Sequence, residues 1–104
     1  MKRGDKMLID DVKQTLRVST STLDTEVNDN IESAKADLIL SGILKSKTEE
    51  DVIDGFDSLI KRAIILYVKA NFGLDNVDSE KYQRAYDSLK THLCLSQEYT
   101  VEVV

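Results

Sequence analysis

The chain has no proline and no tryptophan, and among its 104 residues there is one cysteine, Cys94, and one histidine, His92. Without proline no helix is interrupted by ring clash or by a missing donor, so long helices are expected. A lone cysteine excludes an internal disulfide and a zinc site built on thiolates, and makes a reducing, intracellular site of synthesis the expectation. No apolar run approaches the ~20 residues of a membrane span. The longest, Ala63-Ile64-Ile65-Leu66-Tyr67-Val68, is bounded by Lys61-Arg62 and Lys69. The opening MKRGDKML is basic, but no apolar core of signal-peptide length follows it. Positive charge is also short: 14 Lys and Arg against 19 Asp and Glu leave a net −5, the wrong sign for a chain that binds DNA by neutralising phosphates.

What remains is 41% hydrophobic and 32% charged, the balance of one small globular domain. The apolar residues recur at helical spacing. Leu8, Val12 and Leu16, with Ile9 beside them, predict a first helix over residues 7–18, ended by Ser19-Thr20-Ser21-Thr22. Leu23, Val27, Ile31, Ala34 and Leu38 predict a second over 23–40, with Asp24 and Glu26 in its first turn and Gly42 just past its end. Ile43 to Lys47 reads as a loop whose lysines, Lys45 and Lys47, are either solvated loop charges or an interaction patch. Thr48 with Asp51 resembles a capping box for a long third helix over about 50–72, apolar nearly all round in its second half and therefore central. Val52, Phe56, Leu59, Ala63, Tyr67 and Ala70 form its expected face, and Gly73 its expected C-cap. Tyr82, Ala85, Tyr86, Leu89 and Leu93 predict a fourth helix over 79–95. From Tyr99 to Val103 the pattern alternates, which is strand-like. The fold expected is therefore all-α: a bundle of about four helices around a long central one, residues 1–96, with a short extended tail, residues 97–104.

No cluster carries chemistry. His92 and Cys94 are two apart on the expected helix and point to different faces, a poor metal or nucleophile–base pair. A packed or exposed structural histidine is the better reading. There is no glycine-rich phosphate loop, Walker lysine or serine elbow. Catalytic, cofactor and metal residues are accordingly expected to be none. Tyr67, Tyr82 and Tyr86 fall on helical stripes and read as core. Tyr99 lies outside any expected helix, and is either an interface anchor or a tyrosine folded back onto its own domain. With Val101 and Val103, which would add to a sheet edge, and with Lys45 and Lys47, it completes the candidate assembly residues.

Taken in order, Met7-Leu8-Ile9-Asp10-Asp11-Val12-Lys13, Ala34-Lys35-Ala36-Asp37-Leu38, Leu59-Ile60-Lys61-Arg62-Ala63-Ile64 with Tyr67-Val68-Lys69-Ala70-Asn71-Phe72-Gly73, and Tyr86-Asp87-Ser88-Leu89-Lys90 resemble the small helical head–tail connector (adaptor, DNA-packaging) proteins of tailed bacteriophages and prophages. The resemblance covers most of the chain. It implies a structural, non-enzymatic subunit that forms a ring below the portal protein, dodecameric like the portal and in some members monomeric when free. It implies a place at the virion head–tail junction, after synthesis in the host cytoplasm, where the ring extends the DNA channel and carries stopper or tail-side proteins. Packaged DNA would pass through without sequence-specific binding, and no membrane is involved. The alternative from another class is a small helical regulatory or DNA-binding module. Against it, the second helix offers Asp24, Glu26, Asp29, Glu32 and Asp37 where a recognition helix needs basic and amide side chains.

Overall fold

The computed structural model describes residues 7–17, 21–48, 57–72 and 77–101, and these form helices without strands. Helix α1 spans Leu8–Leu16, α2 Asp24–Leu40, α3 Lys45–Thr48, α4 Ser58–Asn71, α5 Ser79–Cys94 and α6 Gln97–Thr100, with a 3-10 turn at Ser21–Leu23 before α2. The all-α reading holds, and local sequence explains most helix ends. Asp10 in the first turn of α1 accepts from the Met7 N–H at 3.3 Å, which supplies one half of a capping box. Helix α1 stops at Arg17, whose backbone is left-handed. The end of α2 is a Schellman motif: the Ile43 N–H donates to the Leu38 carbonyl and the Gly42 N–H to that of Ile39, both at 3.0 Å. Gly42 takes φ +108°, which a side chain would resist.

Four helices run up, down, up and down. Lys13 on α1 pairs with Asp24 at the start of α2, while Leu8 shares a groove with Ile31, so α1 and α2 are antiparallel. Tyr67 on α4 meets Tyr86 on α5, and Lys69 meets Tyr82, which makes α4 and α5 antiparallel as well. Asp37 on α2 bonds Tyr86 and Lys90, and Ser41 accepts from Cys94, so α2 and α5 run parallel and finish at the same end. The molecule measures 42 × 38 × 17 Å. Its thin dimension holds about two layers of helices at their usual 8–10 Å spacing.

Helix α4 is the centre, packed on α1, α2 and α5. Its Ile60, Ala63, Ile64 and Val68 are fully buried against Val12 of α1, Val27, Ala34 and Leu38 of α2, and Tyr86 of α5. Two features differ from the periodicity reading. The central helix starts at Ser58, because Asp57 is extended (φ −63°, ψ 124°) and caps it, accepting from the N–H groups of Leu59 at 2.9 Å and Ile60 at 3.1 Å. Its buried stripe is also rotated away from Leu59, which is 42% exposed. Thr48 ends α3 instead of capping the central helix. Val52, Phe56, Asp51 and Gly73, which entered the expected helix or its caps, lie outside the described residues.

One half-buried carboxylate helps tie three helices together. Asp37 accepts from the Tyr86 hydroxyl at 2.5 Å and from Lys90 at 3.0 Å, and Lys90 also lies over the Tyr86 ring. Burial pushes the Asp37 carboxyl up, but the bonds from Tyr86 and Lys90 and the ammonium charge together outweigh it and hold the group below its ordinary value. Burial first, then the bond to Asp37, pushes the Tyr86 hydroxyl far above its ordinary range. Tyr67 meets the Tyr86 ring edge-on at 5.3 Å, so the polar tip is anchored by α2 while the ring packs on α4.

A candidate assembly surface at one end of the bundle

The end where α2 and α5 finish collects most of the residues singled out by sequence. It is built on Asp57. Besides capping α4, its carboxylate accepts the Tyr99 hydroxyl, at 2.9 Å to Oδ2 and 3.1 Å to Oδ1. The Tyr99 carbonyl in turn accepts from the Leu44 N–H at 2.8 Å. Lys47 of α3 stands over the Tyr99 ring at 5.5 Å. Thus Tyr99 joins α6 to the start of α4 and to the segment after α2. Burial, the bond to Asp57 and the Asp57 charge push its hydroxyl up to about 12.

Tyr99 is 6% exposed, so of its two readings the structure has the one in which it folds back onto its own domain. The strand-like reading of the tail is corrected: Gln97–Thr100 is a helical turn entered at Ser96, and only at Val101 does the backbone become extended. A short alternating pattern is matched by a single helical turn as well as by a strand. The partner that decides between them, Asp57, is 42 residues away. The loop expected at 43–47 is likewise helical from Lys45 onward.

Near this buried post three large apolar residues are exposed. Leu40 is 87% exposed at the end of α2, Leu95 80% just after α5, and Val101 52% after α6. The Cys94 thiol donates to the Ser41 carbonyl at 3.2 Å, which holds the ends bearing Leu40 and Leu95 side by side. Lys45 is exposed on α3. The structure therefore brings Lys45, Lys47, Tyr99 and Val101 to one end of the molecule, while Val103 lies outside the described residues. Leu40 and Leu95 were missed in the sequence reading. Leu40 lies off the buried stripe of α2 and Leu95 beyond the last turn of α5, a signal that only becomes informative once the two ends are known to be adjacent.

No group of three His, Cys, Asp or Glu is placed to hold a metal among the described residues, and His92 is exposed on the last turn of α5. No helix among them is long and apolar enough to cross a membrane. At this end exposed apolar side chains stand near Lys45 and Lys47.

A family model described as phage connector protein matches residues 8–100. The chain belongs to the phage connector family. Membership supports a structural role at the phage head–tail junction, and the match runs from the first residue of α1 to the last of α6. The contacts of α6 with Asp57 and Leu44 thus involve residues within the matched span. No curated protein and no solved structure matches the chain.

Proposed function

We propose that this chain is a head–tail connector subunit that assembles into a ring beneath the portal protein, extends the DNA channel and offers a platform to stopper or tail-side proteins. The observation that carries the reading is the connector-family match over residues 8–100, nearly the whole chain. A ring of the portal's own symmetry, dodecameric, suits a subunit that must seat on it. The subunit acts without catalysis, consistent with membership of a structural family.

The apolar end supports a specific docking role. Leu40, Leu95 and Val101 are exposed apolar residues gathered at one end of a small domain, which supports a partner site there. Lys45 and Lys47 at its edge favour an acidic rim on that partner. Tyr99 works from beneath, holding α6 in place, and Val101 stands beside it at the surface. The net charge of −5 suits a ring through which DNA slides, since an acidic lumen does not hold phosphates. The acidic outer face of α2, with Glu26, Asp29 and Glu32 exposed, weighs against its use as a recognition helix.

The experiment is capture of the chain by the portal from the same phage. Wild type is retained, while Leu40→Glu and Leu95→Glu, which leave the core untouched, bind at least tenfold more weakly, roughly the cost of losing an interface anchor. Retention of both variants at wild-type strength would remove this end from the contact. Failure of wild type itself to bind would remove the proposal.

A further inference from the structure

We infer that neighbouring subunits join head to tail, the outer face of α4 on one copy receiving the outer face of α2 on the next. This rests on the ring reading above and assigns the surfaces that build it. Helices α2 and α4 pack directly on each other, each turning its buried stripe inward, so their outer faces look to opposite sides of the molecule. The two faces carry opposite charge. On α4 an open groove of ≈ 470 Å³ is lined by Leu59, Ile65 and Leu66 together with Lys61, Arg62 and Lys69. Lys61 is paired with Asp11 at 2.9 Å, Lys69 lies over the Tyr82 ring, and Arg62 is exposed. On α2 the outer face carries Glu26, Asp29 and Glu32 toward the start and Ala36, Ile39 and Leu40 toward the end, all exposed. Glu32 lies 3.6 Å from Lys35, beyond a good hydrogen bond, and its side chain stays 69% exposed.

The patterns match along the helices as well as in sign. Set antiparallel, as α2 and α4 already lie inside one chain, Leu59 comes level with Ile39 and Leu40. Lys69 then comes level with Asp29, and Arg62 with Ala36, one helical turn from Glu32 on the same face and within reach of a long side chain. In this single register Leu59 meets the apolar end of α2 and Lys69 its acidic start, with Arg62 one turn from Glu32. A self-complementary patch would close a two-fold dimer, whereas two different patches on opposite sides propagate and, given the right rotation, close into a ring.

The test uses the full chain and reversals at exposed positions: Arg62→Glu for the α4 face, and Asp29→Lys with Glu32→Lys for the α2 face. Mass is followed by light scattering, alone and with portal present, in whichever sample wild type assembles, and circular dichroism confirms that helicity is kept. Wild-type assembly weakens with salt, because the charges are screened. Each variant alone assembles roughly tenfold or more weakly, the effect of like charges face to face. An equal mixture of the two recovers assembly, since each junction then pairs opposite signs again. Variants that assemble like wild type, or a mixture that recovers nothing, overturn this interface and leave the connector reading standing. A wild type that stays monomeric with and without portal overturns both.

Discussion

The contact that closes the lower end of the bundle can be taken apart quantitatively. Asp57 serves two masters: its Oδ1 caps α4, and its carboxylate accepts the one hydroxyl proton of Tyr99, shared between oxygens at 2.9 and 3.1 Å. Asp57→Ala removes an N-cap, a loss of about 1 kcal/mol. It also leaves the Tyr99 hydroxyl without its acceptor, a further ~1–2 kcal/mol. The expected total is ~2–3 kcal/mol, which for a domain of this size lowers Tm by roughly 10–20 °C. Tyr99→Phe keeps the ring and loses one hydrogen bond, for about 1 kcal/mol, because Asp57 is only half-buried and water replaces the donor. Since the two residues share one bond, the double variant is milder than the sum, with a coupling of about 1 kcal/mol. Asp57→Asn, which keeps an oxygen for the cap, falls between wild type and Asp57→Ala. The assay is urea and thermal denaturation followed by circular dichroism. Strict additivity of Asp57→Ala and Tyr99→Phe would refute the latch, and with it the claim that α6 is held as part of the domain.

Other expectations follow from the same structure. The Tyr99 hydroxyl is raised from 10.0 to about 12 in the fold, so its contribution is present in full below pH 10 and is lost as pH rises through about 12. Alkaline denaturation therefore begins in that window, and Tyr99→Phe makes the midpoint less pH-dependent there, read by tyrosinate absorbance beside helicity. Asp37 has the opposite sign: its folded value lies below 3.8, so its contribution is present above that pH and is lost as acid is added below it. Asp37→Asn therefore flattens the acid limb of a pH–stability curve. Ile64→Ala, at a fully buried site on the central helix, costs ~2–5 kcal/mol by denaturant titration, enough to unfold much of a marginal domain. Gly42→Ala meets no atom within 4 Å, so its cost is backbone alone, about 1–2 kcal/mol for the φ of +108°.

The helical skeleton was legible because each long helix carries its own period. Val27, Ile31, Ala34 and Leu38 are spaced for one face and are all buried, and the acids in the first turns of α1 and α2 lie where the helix dipole favours them. The start of the central helix was not legible from period alone. Apolar residues continue at helical spacing through Phe56, and only the extended backbone at Asp57, with its side chain turned onto Leu59 and Ile60, sets the boundary. The face of α4 was shifted for a related reason: a helix apolar nearly all round does not say which residues its neighbours cover, and the packing of α1, α2 and α5 leaves Leu59 out. The tail was misread because its deciding contacts, Tyr99 with Asp57 and with Leu44, are long-range. The candidate surface was half visible. Lys45, Lys47 and Val101 were in view as residues, but their gathering at one end depends on α2 and α5 running parallel, and so does the discovery of Leu40 and Leu95.

The most direct measurement is mass in solution by light scattering on a sizing column, first of the chain alone and then mixed with the cognate portal. The connector account predicts a ring in at least one sample, and a ring seen only with portal would mean that the portal templates it. A chain that stays monomeric in both and elutes apart from the portal would contradict the account.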